Sequence, residues 1–170
     1  VIDMYKKRYL NLNEVALSFY FPLDETIKRL FGVYESFLGL KFEHVSAQGF
    51  WHDDVSAICV KDGVSGDLIG FILLDLFPRP GKYTHACQIT LVPALKTSDG
   101  KKFPAAALVL ANFPNKTGDG PALLSRSDVR TFFHEFGHAL HALLGATELG
   151  SCAGTATKTD FVELPSQMLE

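Results

Sequence analysis

The sequence predicts an α+β chain. A small, mostly antiparallel sheet is followed by a helix bearing His-Glu-x-x-His and then by a second helix bearing a glutamate. Three observations predict this. Between Leu40 and Phe113 the apolar residues come in short runs rich in Val, Ile and Phe, broken by clusters of Gly, Pro and Asp. From Val129 to Leu143 they recur at helical spacing instead. After Gly150 and Gly154 the stretch Thr157-Lys158-Thr159-Asp160 reopens a helical pattern through Phe161, Val162, Leu164 and Met168. With 170 residues, 47% of them hydrophobic, the chain has about one domain's length and enough apolar content for a core. No repeat, low-complexity run or linker divides it, so residues 1–170 are read as a single unit.

The elements follow in order. Val1 to Tyr9 mixes charged and aromatic residues and reads as an arriving segment. Leu23, Ile27, Leu30, Phe31, Tyr34 and Leu38 fall at i, i+4, i+7 and i+8, an amphipathic helix opened near Pro22 and closed at Gly39. Strands are predicted at Phe42–Val45, Val55–Lys61 and Leu68–Phe77, the last two joined by the turn Asp62–Asp67. Trp51-His52-Asp53-Asp54, at the mouth of one strand, offers a polar site but reads first as a loop with a partly buried Trp and solvated acids. Pro78 to Tyr83 is a turn-rich loop whose Arg79 and Lys82 either lie in solvent or neutralise Asp75 or a peptide carboxylate. Thr84–Val92 and Ala105–Phe113 read as strands linked through Ser98-Asp99-Gly100, and His85 as a satisfied core histidine. The loop Asn115–Gly120 then leads to the motif helix.

That helix, Thr131–Leu144, carries the chemistry. Ser125-Arg126-Ser127-Asp128 offers a capping box and Gly145 a stop. Val129, Phe132, Phe136, Leu140 and Leu143 centre on the side opposite His134 and His138. Residues four apart lie nearly one above the other, so His134 and His138 can give two imidazole nitrogens to one metal ion. Glu135, about 100° round the helix, can reach a water bound to that ion. Zinc takes such ligands, and a catalytic site keeps one position open for water.

A third ligand is needed, and His141, Glu148, Asp160 and Glu163 lie downstream. His141 sits about 10 Å further along the axis than His134, whereas two ligands of one zinc lie only about 3 Å apart. It therefore reads as packing or support rather than ligand. Glu163 is better placed, because a returning helix would set it against the first. Pro165 is an irregularity there, costing a hydrogen bond unless it falls in the first turn.

Phe133-His134-Glu135-Phe136-Gly137-His138, Gly154-Thr155 and Asp160-Phe161-Val162-Glu163-x-Pro165-Ser166-Gln167 together resemble the thimet oligopeptidase, neurolysin and oligopeptidase A family of zinc metallopeptidases. The resemblance extends upstream through Phe21-Pro22, Gly39-Leu40, Trp51-His52, Leu74-Asp75-Leu76-x-Pro78-Arg79-x-Gly81-Lys82-Tyr83-x-His85 and Ala111-Asn112-Phe113. It implies zinc held by His134, His138 and Glu163, Glu135 as the catalytic carboxylate, short peptides as substrates and a zincin-like fold. It also implies that this chain is an internal piece of a longer, mainly helical peptidase. The donors that steady the oxyanion would then lie in a later tyrosine- and histidine-bearing loop outside it. By analogy with related zinc peptidases, Ala105–Phe113 would be an edge strand receiving the substrate backbone, with Ala111 and Asn112 as binding residues. The alternative is an interior strand, suggested by the apolar run Ala105 to Ala111.

Two other readings of function stay open: a catalytically silent module that binds metal or peptide, and a carboxydipeptidase of the same family. A formal net charge of −3 gives no electrostatic case for nucleic acid or membrane surfaces. No stretch approaches the roughly 20 apolar residues of a membrane span. Cys59, Cys87 and Cys152 form no C-x-x-C, which reads as reduced thiols and a cytoplasmic address.

Overall fold

The computed structural model describes residues 2–46, 48–116, 120–168 and 170. Three helices come first: α1 (Ile2–Tyr9), α2 (Glu14–Ser18) and α3 (Leu23–Leu38). Strands β1 (Leu40–Val45), β2 (Ser56–Asp62), β3 (Leu68–Asp75), β4 (Cys87–Val92), β5 (Leu95–Lys96), β6 (Lys102–Phe103) and β7 (Ala105–Leu110) follow. The chain closes with α4 (Arg126–Leu144) and α5 (Thr159–Gln167).

The main sheet has five strands in the order β1-β2-β3-β7-β4. β1–β2, β2–β3 and β4–β7 pair antiparallel and β3–β7 pairs parallel, so the sheet is mostly antiparallel, as expected, with one parallel pair. Alternate residues of a strand point to one face. Ile58 and Val60 of β2, Ile72 and Leu74 of β3, and Ala107 and Val109 of β7 thereby share a face, and all join one core. Against that core lie Leu30, Phe31 and Tyr34 of α3 and Phe132, Phe136 and Leu140 of α4. Phe136 is the hub, with ring centroids 5.5 Å from Phe31, 5.4 Å from Tyr34 and 5.7 Å from Phe42.

Several expectations need correction. β7 is not an edge: β3 flanks it on one side and β4 on the other, so its backbone is used twice. The apolar run Ala105–Ala111 marked an interior strand, buried on both faces as such strands are. Ala111 continues this role, since its N–H donates to the Asp75 carbonyl and its own carbonyl accepts from Lys82 Nζ at 2.6 Å. The arriving segment Val1–Tyr9 is helical over Ile2–Tyr9, and α2 was not foreseen. The link through Ser98-Asp99-Gly100 is itself a small β5–β6 hairpin. His85 is exposed rather than in the core, its ring centroid 5.5 Å from Tyr83. The predicted loop Asn115–Gly120 lies partly outside the described residues.

Candidate metal centre

α4 starts as its sequence dictates. Ser125 Oγ accepts from the Asp128 N–H at 3.1 Å, while Asp128 Oδ2 accepts from the Ser125 N–H at 2.8 Å. This reciprocal cap satisfies two donors that a helix N-terminus leaves free. Phe132, Phe136, Ala139, Leu140 and Leu143 go into the core. The opposite side is left to His134 and His138, and α5 returns across it.

How α5 comes so close is a matter of two glycines. A Cβ on Gly137 would lie 2.8 Å from Ser166 Cα, and one on Gly154 would lie 2.6 Å from Ala142 Cα. Both contacts are backbone against backbone, where no side chain can give way. Gly154 also has φ 53°, a conformation that glycine adopts freely. The loop after α4 is thus pressed onto the helix, and α5 is laid beside it. The expected Thr157–Asp160 cap does not form, because α5 is capped at Lys158 without a side-chain bond. Pro165 lies inside α5, past its first turn.

With α5 in place, Glu163 meets both histidines. Its Oε2 lies 3.2 Å from His134 Nε2 and 3.2 Å from His138 Nε2, and the two nitrogens are 3.1 Å apart. These are the separations expected of ligand atoms about 2 Å from one shared ion. The donor set, two imidazoles and one carboxylate, fits zinc. Among the described residues His134, His138 and Glu163 form the one such group, and His141, Glu148 and Asp160 stand outside it. His141 packs instead, its ring centroid 6.1 Å from that of Phe161.

Electrostatics favour metal binding. Burial pushes the His138 imidazole below its ordinary pKa, against the opposing pull of Glu163. The neutral ring, which is the form that binds metal, is therefore favoured. Burial pushes Glu135 up, opposed by His134 and by a hydrogen bond from the Gln88 backbone. Glu135 does not join the three converging ligands. It lines the same pocket as they do, together with Ala86, Cys87, Gln88, Thr155 and Val162. Ala111 and Asn112 are not brought there: the Asn112 amide donates to the Tyr83 carbonyl at 3.0 Å.

Two contributors escaped the sequence reading. Ser166, fully buried, donates from its hydroxyl to Glu163, 2.9 Å from the carbonyl and 3.1 Å from Oε2. Glu170 places Oε2 3.1 Å from His134 Nδ1. A spacing signal existed only for Ser166, which stands at i+3 from Glu163 within α5, whereas Glu170 lies beyond the end of that helix.

The family model for peptidase family M3 matches residues 2–170. The chain is 41% identical over 152 residues to the thimet-like oligopeptidase of Dictyostelium discoideum, covering 89% of this chain and 23% of that protein. It is 39% identical over 178 residues to saccharolysin of Saccharomyces cerevisiae, covering 98% and 25%. To the mitochondrial intermediate peptidase of Arabidopsis thaliana it is 34% identical over 171 residues, covering 99% and 24%. The chain spans about a quarter of the length of these relatives.

Proposed function

Because the chain belongs to peptidase family M3, we propose that it forms the metal-binding part of a zinc oligopeptidase that hydrolyses short peptides. The observation that carries this reading is the convergence of His134, His138 and Glu163 beside a fourth group, the Glu135 carboxylate, that lines the same pocket. His134, His138 and Glu163 would hold zinc, which when bound supplies a Lewis acid for the water and the scissile carbonyl.

Glu135 accepts the proton of the attacking water and returns it to the leaving amine. Its upward-shifted carboxyl suits a group that must both take and give. The substrate backbone lies along β4 rather than β7, in a zincin-like arrangement. Among the described residues β4 pairs within the sheet only with β7, and Gln88 of β4 lines the same pocket as Glu135. Thr155 comes within 3.2 Å of Thr90 at that edge and flanks the path of a bound peptide. The thiols Cys59, Cys87 and Cys152 are free, which suits a cytoplasmic or a mitochondrial address equally. Several relatives are mitochondrial by name.

The test is Glu135→Gln in the full-length protein. Zinc stoichiometry should stay at one, and kcat on a quenched short peptide should fall by about 10² to 10⁴. Retention of most of the parental kcat would remove Glu135 from this role.

A further inference from the structure

We propose that Glu170, held by Arg130, is a positioning residue that fixes the tautomer and orientation of His134 toward the metal. The inference rests on the metal-centre reading above. It comes from how two segments meet. Along α4, Arg130, His134 and His138 follow at intervals of four, and so share one face. On the returning segment, Glu163 lies within α5 and Glu170 beyond its end at Gln167.

The two segments interlock residue by residue. Glu163 lies on the Nε2 side of His134 and Glu170 on its Nδ1 side, 3.2 and 3.1 Å away. Arg130 Nε in turn forms an ion pair with Glu170 Oε1, so the two carboxylate oxygens have different partners. The Glu170 side chain is only 13% exposed, although Arg130 reaches into solvent.

The chemical consequence follows from imidazole itself. A neutral ring that gives Nε2 to a metal must carry its proton on Nδ1. A carboxylate at hydrogen-bond distance from Nδ1 selects that tautomer, fixes the ring plane and makes Nε2 a better donor. Arg130, paired with the other oxygen, keeps that carboxylate aimed. His138 has no such support: its Nδ1 is buried without a partner among the described residues. The two histidines are therefore unequal, and the support of His134 sets how tightly the centre holds its ion.

The experiment measures zinc affinity of the full-length protein by competition with a chromogenic chelator. Wild type is compared with Glu170→Ala, Glu170→Asp and His134→Ala. Glu170→Ala should weaken zinc binding by about 10- to 100-fold, the usual effect of removing such a partner. Glu170→Asp should recover part of the loss. Thermal unfolding of the metal-free protein should be unchanged by Glu170→Ala, and the His134 Nδ1–H resonance of the zinc form should vanish or exchange rapidly. Zinc affinity of Glu170→Ala within twofold of wild type would overturn the proposal. An affinity loss matched by loss of metal-free stability, with the Nδ1–H signal intact, would also overturn it, because the role would then be structural. If His134→Ala bound zinc as tightly as wild type, the metal-centre reading itself would fall, and this inference with it.

Discussion

Asp75, 1% exposed at the end of β3, is ionised only because donors surround it. Arg79 donates to both carboxylate oxygens at 2.7 Å, and Trp51 Nε1 donates at 2.9 Å. Lys82 Nζ lies 2.8 Å from Oδ1, its side chain 2% exposed, and also meets the carbonyls of Asp75, Phe77 and Ala111. The cluster ties the ends of β3 and β7 to the loop that feeds β4, and so it indirectly places the edge beside Glu135. Burial alone would raise the Asp75 carboxyl, but the bonds from Arg79, Lys82 and Trp51 outweigh it and hold the group well below the usual range. A depressed folded pKa means stability that is present above the unfolded value of about 3.9 and lost as pH falls through the folded one. Asp75→Asn should therefore cost about 3 to 5 kcal/mol at neutral pH, because the buried Lys82 ammonium loses its counter-charge. In a urea-unfolding series the gap between variant and wild type should shrink as pH drops below about 4. A gap that stayed constant down to pH 2 would show that Asp75 is not held ionised in this way. The pairing of Arg79 and Lys82 with Asp75 stood in the sequence as one of two readings. What decided it was burial, which spacing along a loop does not record.

At the scale of elements, α4 and the strands that bury one face were legible because periodicity and capping agree there. Ser125-x-x-Asp128 forms the reciprocal cap that its residues predict, and Phe132, Phe136 and Leu140 enter the core as their spacing requires. Glu163 could be set against α4 only by assuming a returning helix, and the cap expected for that helix at Thr157 is absent. The edge position of the sheet was illegible for a different reason. Strand order depends on pairings distant in sequence: β7 inserts between β3 and β4, and nothing in the residues of β7 alone says which strand ends the sheet. Interhelix distance was equally hidden, since a glycine inside a helix reads first as a modest loss of propensity. Gly137 in fact sets that distance. In Gly137→Ala the new methyl would meet Ser166 Cα and the Pro165 carbonyl, at 2.8 and 3.1 Å, so α5 must move outward and take Glu163 with it. The expected result is zinc affinity reduced at least tenfold while the far-UV circular dichroism spectrum is kept. Wild-type affinity in that variant would mean that α5 is free to adjust, and that backbone contact does not position Glu163.

The whole molecule presents more apolar surface than its own core needs. Phe161 and Leu164 of α5 and Met168 at its C-terminal end are exposed, and so are Ile89, Leu91 and Val92 along β4. Both surfaces border the candidate centre, and the matched relatives are about four times as long as this chain. The pocket also lacks part of what peptide hydrolysis requires. Among the described residues its lining includes three acid or imidazole ligands, Glu135, Thr155 and Gln88, but no tyrosine, lysine or arginine. An oxyanion forming beside the metal needs preorganised donors, and losing one such donor typically costs about 10² to 10³ in kcat. A peptide held only along β4 is also poorly fixed, which forfeits the advantage of a reacting bond held in place. The 170-residue stretch expressed alone should therefore bind zinc yet turn over a short quenched peptide at less than a tenth of the rate of the full-length protein. The comparison is made at saturating zinc and equal occupancy, so that weaker metal binding by an unsupported α5 is not mistaken for weaker chemistry. Turnover within tenfold would show that ligands, base and oxyanion donors all lie within these residues, and would redirect the search for the missing donor to Thr155 and the β4 edge.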